Sequence, residues 1–277
     1  MVLGKQAMNL AIEKAKKYGM GSVAVRNSTH FGIAGYYPSM AISEDMIGMT
    51  VTNARPSAAP TFGVTPLLGT NPIAFGVPTD EPFPFLFDAA TPITQRGKIE
   101  TYLRESKSAP EGWIIDQSNN YLTDPKEILE KLPEREAAFL PLGGKGESLG
   151  GHKGYGLGVI VEILSASLQS GAFLTSLSGL DEDGEKVPFR VGHFFMAINV
   201  EAFVPPAEFK KTTGDILRTL RNSKKAPGFE RIYTAGEKEN HNRKRIMDQG
   251  IPILPKLQDE INLIKDELKV EGYNFPF

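Results

Sequence analysis

An amphipathic helix directly before a strand is the feature that most constrains the fold of this chain. In residues 5–18, Met8, Ile12 and Ala15 share one helical face, and Gly19 follows where the helix would end. The β-branched run at 22–26 then predicts a short strand. Further strands are predicted at 46–53, 73–78, 83–90 and 191–200, and further helices at 34–44, 154–170, 206–222 and 255–269. Such an alternation is typical of α/β proteins.

The turn after the first helix matches a dinucleotide-binding fingerprint, Gly19-x-Gly21-x-x-Ala24, in the wrong context. That fingerprint binds a pyrophosphate because a strand precedes it and a helix N-terminus follows it. Here the helix precedes and the strand follows. The sequence therefore predicts a helix C-cap and a turn, and not a Rossmann site.

Composition excludes several classes of protein. The 277 residues include no cysteine, which removes disulfides, thiolate nucleophiles and zinc–cysteine sites. The net charge of −2 offers no basic surface, and no apolar run approaches the roughly 20 residues of a membrane span. No secretory signal is recognisable, so we expect a cytoplasmic protein with no nucleic-acid and no membrane partner.

His30 stands between a predicted strand and Gly32, where a ligand could approach the backbone. From chemistry alone it is either a residue that exchanges a proton with a substrate or a polar residue at the end of a strand. The other three histidines show no spacing typical of metal ligands, and we predict no metal site.

A glycine-rich stretch at 140–158 leads into the most apolar predicted helix, which we expect to be buried nearly all round. Lys153 lies at its start, where a bound phosphate or carboxylate would explain a lysine that opposes the helix dipole. The alternative is a mobile glycine loop with a solvated lysine.

Asp88, at the end of another strand, could bind a ribose hydroxyl pair or cap the next helix. The basic side chains of 206–225 are expected to be solvated, with a cofactor 2′-phosphate as the alternative.

Eight stretches, in order along the chain, carry a resemblance to a known family. They are NSTHFGIAGYY (27–37), GMTVTNARP (48–56), LLGTNPIAFGVP (67–78), FLFDAATPITQRGKI (85–99), LTDP (122–125), PLGG (141–144), GGHKGYGLGVIVEILSASL (150–168) and APGFERIYTAGE (226–237). The sequence resembles the type-2 malate/L-lactate dehydrogenase family, which includes sulfolactate and ureidoglycolate oxidoreductases.

The resemblance implies an α/β mixed-sheet fold of the family's own, not Rossmann, with helices on both faces. It implies NAD or NADP as cofactor, hydride transfer to or from a small 2-hydroxy or 2-keto acid, and a homodimer. By position, His30 matches the proton acceptor of some members. The cofactor-binding positions are Ala54, Asp88, Ala89, Ala90, Lys153, Thr234, Ala235 and Gly236. Some members have a serine in place of Ala54, and many read Pro-Gly-Glu where this chain reads Ala235-Gly236-Glu237.

The resemblance also predicts a division of the chain. We expect a cofactor-binding domain at 1–225, interrupted by a loop-rich, mostly irregular insertion near 104–152, and a C-terminal segment at 226–277. Family members carry further chain before the equivalent of Val2, with a Ser-His-Gly motif and an arginine. The alternative to an active enzyme is therefore a catalytically weak cofactor-binding fragment that needs that segment or a partner chain. The resemblance implies that the end of the chain packs near that upstream segment. We therefore expect one stripe of the last helix to lack full cover: Leu257, Ile261, Ile264 and Leu268.

Overall fold

The computed structural model describes residues 1–277 and contains eight α-helices and seven β-strands. The helices are α1 (Val2–Tyr18), α2 (Tyr36–Ile42), α3 (Arg96–Arg104), α4 (Pro125–Lys131), α5 (Gly151–Ala166), α6 (Pro206–Asn222), α7 (Glu237–Gln249) and α8 (Pro255–Glu267). The strands are β1 (Met20–Ser28), β2 (Met46–Thr52), β3 (Ile73–Val77), β4 (Phe85–Ala89), β5 (Ile114–Asp116), β6 (Ala137–Phe139) and β7 (Val191–Asn199).

Five strands form the main sheet in the order β1-β7-β2-β3-β4. All four pairings are antiparallel, whereas the resemblance implied a mixed sheet. The α/β class and the departure from the Rossmann arrangement are confirmed. Because β7 runs opposite to both β1 and β2, and β3 runs opposite to both β2 and β4, the strands β1, β2 and β4 point the same way. Their C-terminal ends therefore lie at one edge of the sheet.

Helices cover both faces of this sheet, as expected. On one face a Cβ placed on Gly21 would lie 2.3 Å from the carbonyl oxygen of Ala11, so α1 packs against bare backbone there. On the other face a Cβ on Gly192 would lie 1.7 Å from the carbonyl oxygen of Ser165 in α5. Gly21 pairs with Ala197 of β7, so the two residues face the same side of the sheet. Gly192 lies on the same strand, five residues before Ala197. Because successive residues of a strand face opposite sides, the two helix contacts fall on opposite faces.

The start of the chain folds as the sequence predicts. Met8, Ile12 and Ala15 of α1 are buried in the largest hydrophobic core, together with Phe195 of β7. Gly19 ends the helix with a φ of 85°, and its N–H donates to the carbonyl of Ala15 at 2.8 Å. The near-match to the dinucleotide fingerprint is thus a left-handed C-cap.

Most of the segment at 104–152 is irregular, as predicted. It also contains α4 and a two-stranded antiparallel sheet of β5 and β6, which the sequence did not reveal. Together with α3 these elements enclose a second core that includes Ile99, Ile114, Ile128 and Phe139. Strands of three residues are too short to show a period-2 pattern, which explains why they were missed.

We expected α5 to be buried nearly all round, and that expectation is wrong. Val161 and Ser165 face the sheet, whereas Leu157, Ile160 and Ile163 are exposed. The exposed side chains lie about one helical turn apart and form an apolar face.

The C-terminal helix α8 contains no buried residue. Leu268 is 70 % exposed and Ile264 is 53 % exposed, so the expected lack of cover on this stripe is confirmed. The division of the chain at 225/226 stays a prediction. None of the helices combines the length and the apolar character that a bilayer crossing requires.

Candidate functional site

Some of the predicted site residues lie at the C-terminal ends of β1, β2 and β4, which share one edge of the sheet. His30 comes two residues after β1 ends at Ser28, and Ala54 comes two residues after β2 ends at Thr52. Asp88 and Ala89 are the last residues of β4, and Ala90 follows them. The topology thus places these residues at the same end of the sheet, although β1 and β4 are its two outer strands.

The loop that carries His30 is fixed through its neighbour Phe31. The Phe31 ring is buried, and its carbonyl oxygen accepts a hydrogen bond of 2.5 Å from the Tyr37 hydroxyl. His30 itself is exposed, and its Nδ1 accepts from the Gly32 N–H at 3.2 Å. This contact leaves the proton of the neutral ring on Nε2, directed away from the backbone.

His193 supports the same loop from β7, a role that the sequence did not reveal. Its ring is fully buried and stacks on Phe31, and its Nδ1 lies 2.7 Å from the Thr52 hydroxyl. Burial lowers the pKa of His193 to about 4, although the Thr29 backbone opposes this effect, and His30 adds to the lowering. His193 is therefore neutral at physiological pH. The only available signal was its position in an apolar strand.

Asp88 connects this loop to β4. One carboxyl oxygen, Oδ2, accepts a hydrogen bond of 2.7 Å from the Gly35 N–H, at the residue that precedes α2. Asp88 is exposed as a residue, but the desolvation of its carboxyl raises its pKa, and the Gly35 amide opposes that effect. The capping role considered from the sequence is therefore present, although the helix is α2 and not the next helix in the chain.

A pocket of about 260 Å³ joins Asp88 to the turn Thr234–Gly236. Its other walls are Leu86, Phe87, Tyr233, Lys238 and Glu239. The Leu86 N–H donates to the Ala235 carbonyl at 3.3 Å. Gly236 has a φ of 90°, and a Cβ there would lie 2.8 Å from the Pro84 carbonyl oxygen. Only a glycine lets this turn approach β4 so closely.

Glu237 holds the turn in place and was not identified from the sequence. Its carboxylate is fully buried, accepts from the Thr234 N–H at 3.1 Å, and is paired with Arg231. Burial acts to raise its pKa, but the Thr234 amide and the Arg231 guanidinium outweigh burial and keep that pKa below its ordinary value. Arg221 of α6 also donates to Thr234 Oγ1, at 3.3 Å. In the sequence, the only signal for Glu237 was its position directly after Gly236.

The basic side chains Lys211, Lys224 and Lys225 are exposed, as expected, whereas the two arginines of α6 are engaged in ion pairs. Arg218 pairs with Asp80 at 2.9 Å and with Glu81 at 2.6 Å. Arg221 is largely buried and also pairs with Glu81.

Lys153 lies in the first turn of α5 with an exposed side chain. The glycines around it permit close packing: a Cβ on Gly154 would lie 2.3 Å from the Leu142 carbonyl oxygen. Ala54 lies against Gly69. A Cβ on Gly69 would lie 2.4 Å from the Ala54 carbonyl oxygen.

Of the eight predicted cofactor-binding residues, four line the pocket and the others lie outside its walls. The four are Asp88, Thr234, Ala235 and Gly236.

A buried polar network ties α5 to the same edge of the sheet. Glu162 accepts from Asn71 Nδ2 at 2.8 Å, from the Leu174 N–H at 2.9 Å and from Asn53 Nδ2 at 3.4 Å. Asn53 also accepts from the Gly192 N–H at 2.8 Å. Since Asn53 precedes Ala54, this network fixes the position of Ala54 relative to α5.

The antiparallel sheet, the polar strand ends and the pocket define an α/β enzyme that does not use the Rossmann arrangement. The chain belongs to the malate/L-lactate dehydrogenase family, whose sequence profile matches residues 1–262. It is therefore an oxidoreductase of the 2-hydroxy-acid class.

Three relatives illustrate the match. The chain is 46 % identical to a malate dehydrogenase from Pyrococcus abyssi over 98 % of its own length and 72 % of that protein. It is 40 % identical to an L-sulfolactate dehydrogenase from Methanocaldococcus jannaschii over 98 % of its length and 74 % of that protein. The crystal structure of a malate dehydrogenase from Entamoeba histolytica matches with a TM-score of 0.94 and 48 % identity, over 100 % of this chain and 75 % of that one.

Proposed function

We propose that this chain is an NAD(P)-dependent dehydrogenase that interconverts an anionic 2-hydroxy acid of the malate type and its 2-keto acid. Relatives at 46 % and 48 % identity are malate dehydrogenases, which favours malate over the sulfolactate of the relative at 40 %. The observation that carries the proposal is the position of Asp88, which lines the pocket and also binds the loop of His30.

The pocket fits part of a dinucleotide. A carboxylate on its wall suits a ribose hydroxyl pair. Lys153, in the first turn of α5, adds positive potential for a phosphate or a substrate carboxylate. When bound, the nicotinamide would exchange a hydride with C2 of the substrate.

His30 would exchange the proton of the substrate oxygen. In reduction of a 2-keto acid the imidazolium form would give its Nε2 proton to the substrate oxygen and return to the neutral ring. In oxidation the neutral ring would accept the hydroxyl proton at Nε2. Both forms carry a proton on Nδ1, so the ring must give up its contact with the Gly32 N–H during turnover. The exposed ring has room for this change.

Steady-state assays test the proposal. We expect oxidation of NADH or NADPH with oxaloacetate, compared with pyruvate and sulfopyruvate, and separate assays with each cofactor choose between NAD and NADP. His30→Asn should lower kcat by about 10²–10⁴-fold and leave the cofactor Kd within a few-fold. The matched control is His241→Asn, on the exposed surface of α7. No turnover of any 2-keto acid would contradict the proposed function, and full activity of His30→Asn would contradict the role of His30.

The remaining expectations stay proposals. A homodimer and a cytoplasmic location accord with the family resemblance, and the exposed apolar face of α5 would suit a subunit contact. Nothing favours the alternative of a catalytically weak fragment, because the chain folds around continuous cores and its relatives are enzymes.

A further inference from the structure

We propose that Asp88 couples the cofactor pocket to the loop of His30, because its carboxyl holds the Gly35 amide and the residue lines the pocket. The inference rests on the proposed function, since it takes the pocket of Asp88 and Gly236 as part of the cofactor site.

The contact between Asp88 and Gly35 is a long-range anchor. Gly35 precedes α2, and its N–H has no partner within the helix. The partner is Oδ2 of Asp88, 53 residues away on β4, at 2.7 Å. Since the Tyr37 hydroxyl binds the Phe31 carbonyl, the loop between His30 and α2 is held at two points. At one of these two points the partner is Asp88, which lines the pocket.

The carboxyl group of Asp88 provides the coupling, because the same group binds the Gly35 N–H and belongs to a residue that lines the pocket. A hydroxyl that a bound cofactor donates to this carboxyl would hold it in one orientation. A carboxylate accepts from the Gly35 N–H more strongly than a neutral group does. Cofactor binding thus tightens the loop, and an anchored loop keeps the carboxyl ready for the cofactor.

Gly35→Ala separates this contact from the reacting groups. Gly35 has a φ of −62°, which alanine adopts without strain. Its new Cβ would lie 3.0 Å from Oδ2 and 3.3 Å from Cβ of Asp88, so the carboxyl must shift. The control is Gly97→Ala in α3, where a Cβ would meet nothing within 4 Å. Amide hydrogen exchange of residues 31–37 and fluorescence titration with NADH are the two measurements.

In the wild-type protein and in Gly97→Ala, NADH should slow exchange of the loop amides several-fold. In Gly35→Ala the loop should exchange faster without NADH, gain little protection from it, and bind NADH about ten-fold more weakly. Asp88→Asn retains an acceptor oxygen and should keep more of the loop protection without NADH than Asp88→Ala does.

The outcomes distinguish the two ideas. Tight NADH binding with unchanged loop exchange in the wild-type protein overturns the coupling and leaves the proposed function standing. The same holds if Gly35→Ala matches Gly97→Ala in both measurements. If NADH binds but Asp88→Ala leaves its Kd unchanged, the pocket assignment and the coupling both fail. Absence of NADH and NADPH binding to the folded wild-type protein overturns the proposed function, and the coupling with it.

Discussion

The ring of His193 lies flat against the ring of Phe31, with centroids 4.3 Å apart and planes 5° apart. The stack joins the first half of β7 to the residue next to His30. The second polar atom of the imidazole, Nε2, is buried without a well-formed hydrogen bond. The Thr29 backbone favours a protonated ring but offsets the cost of burying its charge only in part.

The first prediction concerns acid stability. The pKa of His193 is about 4 in the folded protein and near 6.5 in an unfolded chain, so the unfolded state binds more protons between these values. Stability should fall as the pH drops from about 6.5 to 4, by about 3 kcal/mol from this group, and level off below. Urea unfolding at several pH values measures this loss. His193→Phe, which keeps the stack, should remove that component; an identical pH dependence in the variant would show that His193 is not responsible.

The second prediction concerns the turn of the pocket. Glu237→Gln removes the charge that faces Arg231 and one acceptor for the Thr234 amide. We expect a loss of about 1–3 kcal/mol in the free energy of unfolding, together with weaker NADH binding. Urea unfolding and fluorescence titration measure the two effects. Glu239→Gln, exposed on the same helix, is the stability control and should change the free energy by less than about 0.5 kcal/mol.

The third prediction concerns the contact between α5 and the sheet. Gly192→Ala places a methyl group against the Ser165 carbonyl, where neither backbone can move freely. A loss of about 1–3 kcal/mol or more should appear as a lower Tm in thermal unfolding. Gly97→Ala, at an exposed position in the first turn of α3, should be neutral or slightly stabilising. Equal Tm values for the two variants would mean that the sheet and α5 are not packed as described.

The fourth prediction concerns Lys153. Lys153→Met removes a positive charge at the start of α5 while retaining a side chain of similar length. Cofactor or substrate affinity should fall by about ten-fold, and the difference from wild type should shrink at high salt. Initial rates at low and high ionic strength measure this effect, with Lys256→Met on α8 as the control. A salt-independent defect would indicate that the lysine acts through packing and not through charge.

The sequence predicted those parts of the fold in which local pattern and tertiary structure agree. Met8, Ile12 and Ala15 show a helical period and are all buried. The polar helix α7 has no such stripe and was missed, as were the three-residue strands β5 and β6. Their positions depend on contacts made elsewhere in the chain.

The roles of the site residues stay predictions. Asp88 and Gly236 were named from the family resemblance, and they line one pocket. His193, Glu162 and Glu237 were missed because their roles come from partners brought near them by the fold. A buried histidine in an apolar strand gives no sign, in one sequence, of the loop on which it stacks.

The position of β7 between β1 and β2 affects how the chain is made. About 140 residues separate Thr52 from its neighbour His193 in the sheet, so the centre of the sheet is the last part of it to leave the ribosome. At roughly 5–20 residues per second, β1 and β2 wait on the order of ten seconds with open edges. Until β7 arrives, their unpaired backbones are exposed to other chains. The step that completes this sheet is therefore also the step at which newly synthesised chains are most exposed to aggregation.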